Sequence, residues 1–267
     1  EKILQKISYL LEPLLLLMNL KPQNYNMKIR DIVLTNSGDT KSFNSLVNSG
    51  FILHHFPMIE ISHKEIRPFS LDKYDFYVFT SKNGVDSFFN APFIKVQYEK
   101  KISTICLGEK TAKKIREFGV VPTFISNSNY SNDLFNDLSE KDFLENKKVL
   151  LVQGNLASDY LLNNLKNICS VDRVNSYSTY IQENLNIDLN NIIQNNNSIS
   201  IFSSPSAFEG FAKFYDITKT NIVSIGKTTT NYIKSKGANP IITSKNQNFE
   251  SLSEEIINYF NLDTINI

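Results

Sequence analysis

Short apolar runs alternate with segments of helical spacing along most of the chain. The runs that begin at Lys28, Tyr74 and Lys147 hold several consecutive apolar residues and end in polar ones, which is typical of buried parallel strands. The segment from 40 to 48 has apolar residues at helical spacing and is closed by Ser49-Gly50. Strands that alternate with helices in this way predict parallel sheets built from right-handed crossovers, so we expect an α/β protein.

Two segments look extended but lack the apolar content of a core strand. The first, from 51 to 61, alternates only in part and contains Pro57, which cannot donate to a central ladder. A similar piece runs from 171 to 180. We predict that both segments are connectors between domains and that they pair with each other.

Two stretches of the chain match each other at one fixed offset without a gap. With Gly108 set on Gly226, the register places Thr111 on Thr229, Ile115 on Ile233, Gly119 on Gly237, Pro122 on Pro240 and Ser126 on Ser244. Each copy reads as a strand, a glycine, a helix opened by threonine, a second glycine and another strand. A match of this kind is an internal repeat. The half from 29 to 143 follows the same order of elements as the half from 148 to 260, which predicts two similar α/β domains.

Composition adds limits to this picture. The 267 residues can form one large domain or two of ordinary size. Hydrophobic residues make up 41% and charged residues 21%, with a mean hydropathy of −0.23, which is typical of soluble globular proteins. The net charge of +1 argues against a nucleic-acid partner, which would need a basic surface.

The two cysteines indicate a reducing compartment. Cys106 and Cys169 are too few and too far apart for a disulfide framework or a zinc site. Cys106 lies in an apolar strand pattern, so we predict a buried, inert thiol. A cytoplasmic location follows as an expectation.

Residues 1–26 are predicted to be an extension outside the fold. The apolar run that starts at Leu10 is broken by Glu12 and Pro13 and is too short to span a bilayer. It also lacks the small-residue cleavage site of a secretory signal. Met27, directly before the first strand, fits a natural chain start.

The usual catalytic motifs are missing from the sequence. His54, His55 and His63 occur without a nearby cysteine, so we expect no metal site. What remains are polar residues at the predicted strand ends, where open α/β sheets bind ligands. They are Thr35, Thr80, Ser81, Lys110, Thr111, Ser203, Ser204, Thr228 and Thr229. Taken singly, each hydroxyl is expected to cap a helix. Because the same chemistry is repeated in both halves, binding of an anion is weighed evenly with capping.

Six motifs, which follow one another along the chain in the order of the family, resemble the uroporphyrinogen-III synthase family from about Met27 to Phe260. They are Phe79-Thr-Ser-Lys-Asn-Gly-Val, Leu107-Gly-Glu-Lys-Thr-Ala, Phe56-Pro-Met-Ile-Glu-Ile, Ser176-Tyr-Ser-Thr, Phe202-Ser-Ser-Pro-Ser-Ala and Ile225-Gly-Lys-Thr-Thr. The resemblance implies two similar flavodoxin-like, parallel-sheet α/β domains joined by a two-stranded β-ladder, with the active site in the cleft between them.

The same resemblance implies the domain boundaries. Residues 27–50 and 183–267 are expected to form domain 1, and residues 67–171 domain 2. Residues 51–66 and 172–182 are expected to connect them. The first strand therefore joins the C-terminal domain.

The activity implied is cyclisation of hydroxymethylbilane to uroporphyrinogen III, with loss of water and inversion of ring D through a spiro intermediate. The family uses no cofactor and no metal. The implied partners are this linear tetrapyrrole and, transiently, hydroxymethylbilane synthase. We expect a monomer that does not span a membrane.

The resemblance also assigns roles to residues. Tyr177 matches the family tyrosine that assists departure of the hydroxyl, and a phenol can serve as a proton donor at neutral pH. Ser81 and Ser204 match serines that contact substrate carboxylates, and Thr111 and Thr229 match the Gly-x-x-Thr threonines.

One departure from the family concerns arginine. The family often has arginine after the first strand of each half, where this chain has Asn36 and Gln153. Main-chain donors and the side chains of Lys82, Lys110 and Lys227 are then expected to contribute more to binding.

Two other functions stay open at this point. A two-domain binding protein for small anions would share the strand-end chemistry, and a catalytically inactive relative would share the missing arginines. Formation of isomer III from hydroxymethylbilane separates both from the enzyme.

Overall fold

The computed structural model describes residues 29–97, 102–128, 130–140 and 143–261. The predicted extension, residues 1–26, lies outside the described residues. The chain forms two compact units, of which the first takes residues up to Met58 and from Glu183 onward, and the second takes residues from Ile59 to Gln182. The chain therefore leaves the first unit once and returns to it once.

The described elements alternate between strands and helices. The strands are β1 (Asp31–Leu34), β2 (Ile52–His55), β3 (Ile59–His63), β4 (Phe76–Phe79), β5 (Thr104–Leu107), β6 (Phe124–Ser126), β7 (Lys148–Gly154), β8 (Ser170–Ile181), β9 (Ser198–Phe202), β10 (Asn221–Ser224) and β11 (Ile242–Thr243). The α-helices are α1 (Asn44–Asn48), α2 (Lys82–Phe89), α3 (Pro92–Gln97), α4 (Gly108–Glu117), α5 (Ser131–Glu140), α6 (Tyr160–Leu165), α7 (Ile187–Gln194), α8 (Pro205–Ala212), α9 (Lys227–Ser235) and α10 (Phe249–Asn261). Short 3-10 turns cover Lys41–Phe43, Leu71–Lys73 and Ile217–Lys219.

The first unit is built on a five-stranded parallel sheet in the order β11-β10-β9-β1-β2. Numbered along the chain within this unit, the order is 2-1-3-4-5, which is that of flavodoxin. Helices cover both faces. Leu252 and Ile256 of α10 pack on the face of Ile199 and Val223, while the ring of Phe202 lies 5.1 Å from that of Phe208 on the other face.

The second unit holds a six-stranded sheet in the order β3-β8-β7-β4-β5-β6. Only β3 is antiparallel; the other neighbours are parallel. Without β3 the strands have the same spatial arrangement, because β7, β8, β4, β5 and β6 take the places of β1, β2, β9, β10 and β11. Numbered along the chain within this unit, however, the order is 3-2-1-4-5, which is a circular permutation of the order in the first unit. The prediction of two similar parallel-sheet domains is confirmed.

The two halves of the sequence repeat do not correspond to the two units. Each sheet combines strands from both halves of the chain. In the first sheet, β1 and β2 join β9, β10 and β11; in the second, β7 and β8 join β3, β4, β5 and β6. Pairing of β1 with β9 places Asp31 beside Ser198, which is far along the chain. The repeat therefore reflects the order of elements along the chain. It does not show which strands share a sheet, because each sheet contains strands from both copies.

The predicted connectors are in part regular strands. Within 51–66, β2 is an edge strand that pairs in parallel with β1, so this part of the connector interpretation is wrong. Pro57 lies between β2 and β3, outside both ladders, and therefore does not prevent pairing. β8 runs through most of 172–182 and pairs in parallel with β7 before it pairs antiparallel with β3. The pairing of the two extended segments with each other is confirmed for β3 and the end of β8.

Two hydrophobic clusters lie on opposite faces of the second sheet. Phe79, Val152 and Val85 belong to the cluster beneath α2, which we call the α2 face. Val78 and Leu151 belong to the cluster beneath α5 and α6. Strand residues alternate between these clusters, as expected for the two faces of a sheet.

Cys106 provides a test of this core. It is fully buried in β5, and burial raises the pKa of its thiol to about 12, so the prediction of a buried thiol is confirmed. Because the thiolate is the reactive form, we expect no alkylation of Cys106 by iodoacetamide in the native protein at neutral pH. Peptide mass spectrometry before and after unfolding in urea measures this. Rapid native labelling of Cys106 would show that β5 is more accessible than the structure has it.

Candidate active site

Two serines end equivalent strands of the two units with the same local geometry. Ser81 Oγ accepts a hydrogen bond from Gly84 N at 3.1 Å, and Ser204 Oγ accepts one from Ala207 N at 3.2 Å. Their backbone angles nearly coincide, with φ −155° and ψ 154° for Ser81 and φ −157° and ψ 157° for Ser204. The capping interpretation is therefore confirmed for both, at the starts of α2 and α8.

The threonines of the repeat do not cap their helices, which corrects the sequence prediction. Helix α4 already begins at Gly108, and α9 begins at Lys227, without a capping hydrogen bond from the preceding side chain in either case. Thr111 and Thr229 lie within the first turn with only 4% and 3% of their surface exposed. The residue before the first turn therefore supplies no capping hydrogen bond in either helix, and the backbone N–H groups of a helix start suit an anion.

The remaining candidates divide by exposure. Thr35 is fully buried and donates to Ile201 O at 2.6 Å, so it is part of the core and we leave it out of the proposed site. Thr80 and Ser203 are partly exposed immediately after β4 and β9. Four side chains are exposed at helix starts: Lys82, Lys110, Lys227 and Thr228.

Asn36 and Gln153, which stand where the family often has arginine, occupy equivalent places at the end of the first strand of each half, but their environments differ. Asn36 is buried, and its amide donates to Gly38 O at 3.3 Å and to Asp39 O at 3.4 Å. Gln153 is 3% exposed, and its Oε1 atom has no hydrogen-bond partner among the described residues. Asn36 therefore orders its own loop, whereas Gln153 places an unused acceptor at the carboxyl end of β7.

Tyr177 meets Ser81 at the carboxyl edge of the second sheet. The two hydroxyl oxygens, Tyr177 Oη and Ser81 Oγ, lie 3.0 Å apart. Burial raises the pKa of the Tyr177 phenol above its ordinary value, and the hydrogen bond with Ser81 opposes that shift in part. The phenol therefore remains protonated at neutral pH, so it can donate a proton. The sequence analysis proposed both residues for the site, but it did not predict their contact.

A β-bulge sets the direction of the Tyr177 side chain. In the ladder with β7, Gln153 faces Asn175 and Gly154 faces Tyr177, so Ser176 is an extra residue. Val171 packs away from the α2 face, and strict alternation would send Tyr177 the same way. The bulge instead turns Tyr177 toward the start of α2, where Ser81 lies.

The bulge is held by its backbone carbonyl. Ser176 O accepts hydrogen bonds from Lys64 N, at 2.8 Å, and from the hydroxyl of Ser87 on α2. Ser87 is 3% exposed. This buried tether fixes the bulge against the same helix that carries Ser81 at its start.

Loss of the tether is expected to cost stability. In the Ser87→Ala variant we expect the free energy of unfolding to fall by about 1 kcal/mol, since a buried hydrogen bond is removed while Ser176 O keeps one donor. Urea unfolding measures this. Ser139→Ala is the control, because that helical hydroxyl donates to Phe135 O within its own helix. Equal stability of both variants would contradict the tether.

The histidines have structural partners. His54 Nε2 lies 2.7 Å from Asp31 Oδ1, and His55 Nε2 lies 2.7 Å from Asn36 O. His63 Nε2 lies 3.5 Å from a carboxylate oxygen of Asp86. Within the described ranges, no three or more His, Cys, Asp or Glu side chains come together as a metal site would require. None of the helices in those ranges is long and apolar enough to cross a membrane.

Comparison with known proteins gives consistent matches. The family model described as uroporphyrinogen-III synthase HemD matches residues 44–254. A Methanocaldococcus jannaschii protein named "Putative uroporphyrinogen-III synthase" is 32% identical over 213 residues, which cover 74% of this chain and 85% of that protein. The porphyrin biosynthesis protein HemD of Ruminiclostridium josui is 32% identical over 186 residues, covering 66% of this chain and 36% of that longer protein.

A solved structure shows the same fold. The uroporphyrinogen-III synthetase of Helicobacter pylori superposes with a TM-score of 0.64 at 20% identity, over 86% of this chain and 99% of that one. At this level of identity the likeness concerns the fold.

Proposed function

Because the chain belongs to the uroporphyrinogen-III synthase family, we propose that it cyclises hydroxymethylbilane to uroporphyrinogen III and that Tyr177 is its proton donor. The family consists of cyclising lyases of tetrapyrrole biosynthesis. The observation that carries the proposal for this chain is the hydrogen bond between Tyr177 Oη and Ser81 Oγ, at 3.0 Å, on the carboxyl edge of a parallel sheet.

The first chemical step is loss of the substrate hydroxyl. Tyr177 Oη transfers its proton to that hydroxyl as the carbon–oxygen bond breaks, so that water leaves and the pyrrole nitrogen stabilises the carbon left behind. Ser81 Oγ already accepts from Gly84 N, and its own proton can then be donated to the phenolate that forms. This hydrogen bond stabilises the charge that develops on Tyr177 in the transition state.

Binding of the substrate carboxylates is assigned to neutral donors and a few lysines. The backbone N–H groups at the starts of α4 and α9 suit carboxylates, with Thr111 and Thr229 packed in the same turns. The exposed and partly exposed side chains of the site add charge and hydroxyl donors: Lys82, Lys110, Lys227, Thr228, Thr80, Ser203 and Ser204. Much of the rate enhancement would then come from holding the linear chain in a reactive geometry.

The product isomer tests the proposed function. Purified protein is supplied with freshly made hydroxymethylbilane, the products are oxidised to porphyrins, and the isomers are separated by chromatography. We expect isomer III in the presence of the protein and isomer I, the spontaneous product, in its absence. Isomer I alone in both reactions would favour an inactive relative or a binding protein for anions.

A further inference from the structure

Gly154, at the end of β7, lies directly against the ring of Tyr177. A Cβ atom built on Gly154 would be 2.4 Å from Tyr177 Cζ, 2.5 Å from Cε2 and 2.9 Å from Oη. Cβ atoms in proteins essentially never approach other atoms so closely. The ring therefore occupies the space that a side chain at position 154 would need. Close approach to a backbone is one of the uses that only glycine allows.

The obstacle at this position is the ring itself. The three nearest atoms to the added Cβ all belong to Tyr177, and the φ of Gly154 lies outside the left-handed region that favours glycine. An alanine at this position would therefore fit the backbone angles, and the three atoms nearest to its methyl group would all belong to the phenol.

A second glycine touches the same ring without such a constraint. A Cβ atom on Gly84 would lie 3.8 Å from Tyr177 Cε1 and 3.4 Å from both Ser81 Oγ and Val152 O, which are ordinary or slightly close contacts. Gly84 is also inside α2, where alanine is the better helix former. The chain thus offers a matched pair of glycines beside one phenol.

We infer that Gly154 is a positioning residue: the absence of its side chain lets the Tyr177 phenol lie on the end of β7 within hydrogen-bond distance of Ser81. The inference rests on the proposed role of Tyr177. A methyl group at position 154 must push the ring away, because the ring is the far end of a side chain, whereas Gly154 ends a strand that pairs with β4 up to Val152 and with β8 up to Gly154 itself. The phenol would then leave the 3.0 Å contact with Ser81.

The position of the ring can be measured without activity. The protein is labelled with 3-fluorotyrosine, and the ¹⁹F resonance of Tyr177 is assigned by its loss in the Tyr177→Phe variant. We expect Gly154→Ala to shift this resonance and Gly84→Ala to leave it nearly unchanged. An unshifted resonance in Gly154→Ala overturns the inference, whatever the enzyme's activity.

Kinetics connect the position of the ring to catalysis. We expect Gly154→Ala to lower kcat by about 10- to 100-fold with a smaller change in KM, since a displacement of about 1 Å can cost two orders of magnitude. A shifted resonance with unchanged kcat overturns the positioning role. If Tyr177→Phe is then also fully active, the proposed function of Tyr177 fails with it; if Tyr177→Phe is slow, only the inference fails.

A third variant separates the collision from a general effect on folding. Gly154→Ala is expected to lower the Tm of the otherwise wild-type protein. In a Tyr177→Ala background the ring is gone, so the same substitution should leave Tm unchanged. A drop in Tm of equal size in both backgrounds would show that Gly154 is needed for something other than Tyr177.

Discussion

The Tyr177→Phe variant is expected to turn over hydroxymethylbilane about 100-fold or more slowly than the wild-type protein, because a positioned general acid contributes factors of that order. The variant loses only the phenolic oxygen. The ring that rests on Gly154 remains, and Ser81 still caps α2 through Gly84 N. We therefore expect the fold to be intact, as judged by near-ultraviolet circular dichroism and Tm. The kcat is measured from initial rates of isomer III formation at saturating substrate.

Tyr180→Phe is the matched control for this prediction. Tyr180 lies three residues further along β8 and is 55% exposed. Its hydroxyl has no place in the proposed mechanism, so the control should retain wild-type kcat. Wild-type turnover in Tyr177→Phe would remove the phenol from the mechanism and leave proton donation to another group.

The Ser81→Ala variant is expected to lose both stability and turnover. Removal of the cap should lower the free energy of unfolding by about 1 kcal/mol, as is usual for N-cap serines. Loss of the hydrogen bond to Tyr177 Oη should lower kcat by about tenfold, because a net contribution near 1.4 kcal/mol in the transition state corresponds to that factor. Both quantities are measured on the same preparation by urea unfolding and initial rates.

Ser204→Ala separates these two effects. Ser204 caps α8 with the same backbone geometry, but the partner of its hydroxyl is Ser206 Oγ, at 3.1 Å, rather than a tyrosine. Its loss should cost a similar amount of stability and raise KM, with kcat largely retained. A similar fall of kcat in both variants would mean that Ser81 acts through the cap alone, and not through Tyr177.

The elements and the two-domain fold could be predicted because they depend on local pattern. Buried parallel strands such as β4 and β7 are continuous apolar runs, and the repeat around Gly108 and Gly226 made a second, similar domain evident. The repeat could not show that each sheet combines strands from both halves of the chain. Similar copies have similar edges, so periodicity does not decide whether β1 pairs with β9 or with a strand of its own half.

The candidate site residues could be proposed from the sequence, but their geometry could not. Ser81 and Tyr177 are 96 positions apart, and their contact depends on an extra residue in β8 that alternation does not show. The prediction that the threonines cap their helices was wrong for a local reason. Gly108 has φ 74°, a left-handed angle that starts α4 three residues before Thr111. A glycine after a strand was therefore the better signal for the helix start.

In the proposed mechanism a partly buried, protonated phenol, that of Tyr177, supplies the proton. A competing proton donor in the same ladder would be His63, which pairs with Tyr177 across β3 and β8 and contacts Asp86. A histidine donor would lose its proton between about pH 5 and 8, whereas a tyrosine keeps its proton until about pH 10, and burial of Tyr177 raises its pKa further.

The pH dependence of kcat tests this claim most directly. The rate of isomer III formation is measured at saturating hydroxymethylbilane from about pH 6 to pH 9, with Tyr177→Phe as the reference. With Tyr177 as donor, the wild-type kcat does not fall as pH rises through this range. A wild-type kcat that falls tenfold for each pH unit above about pH 7, as loss of a proton from histidine would produce, would contradict the assignment of the proton to Tyr177.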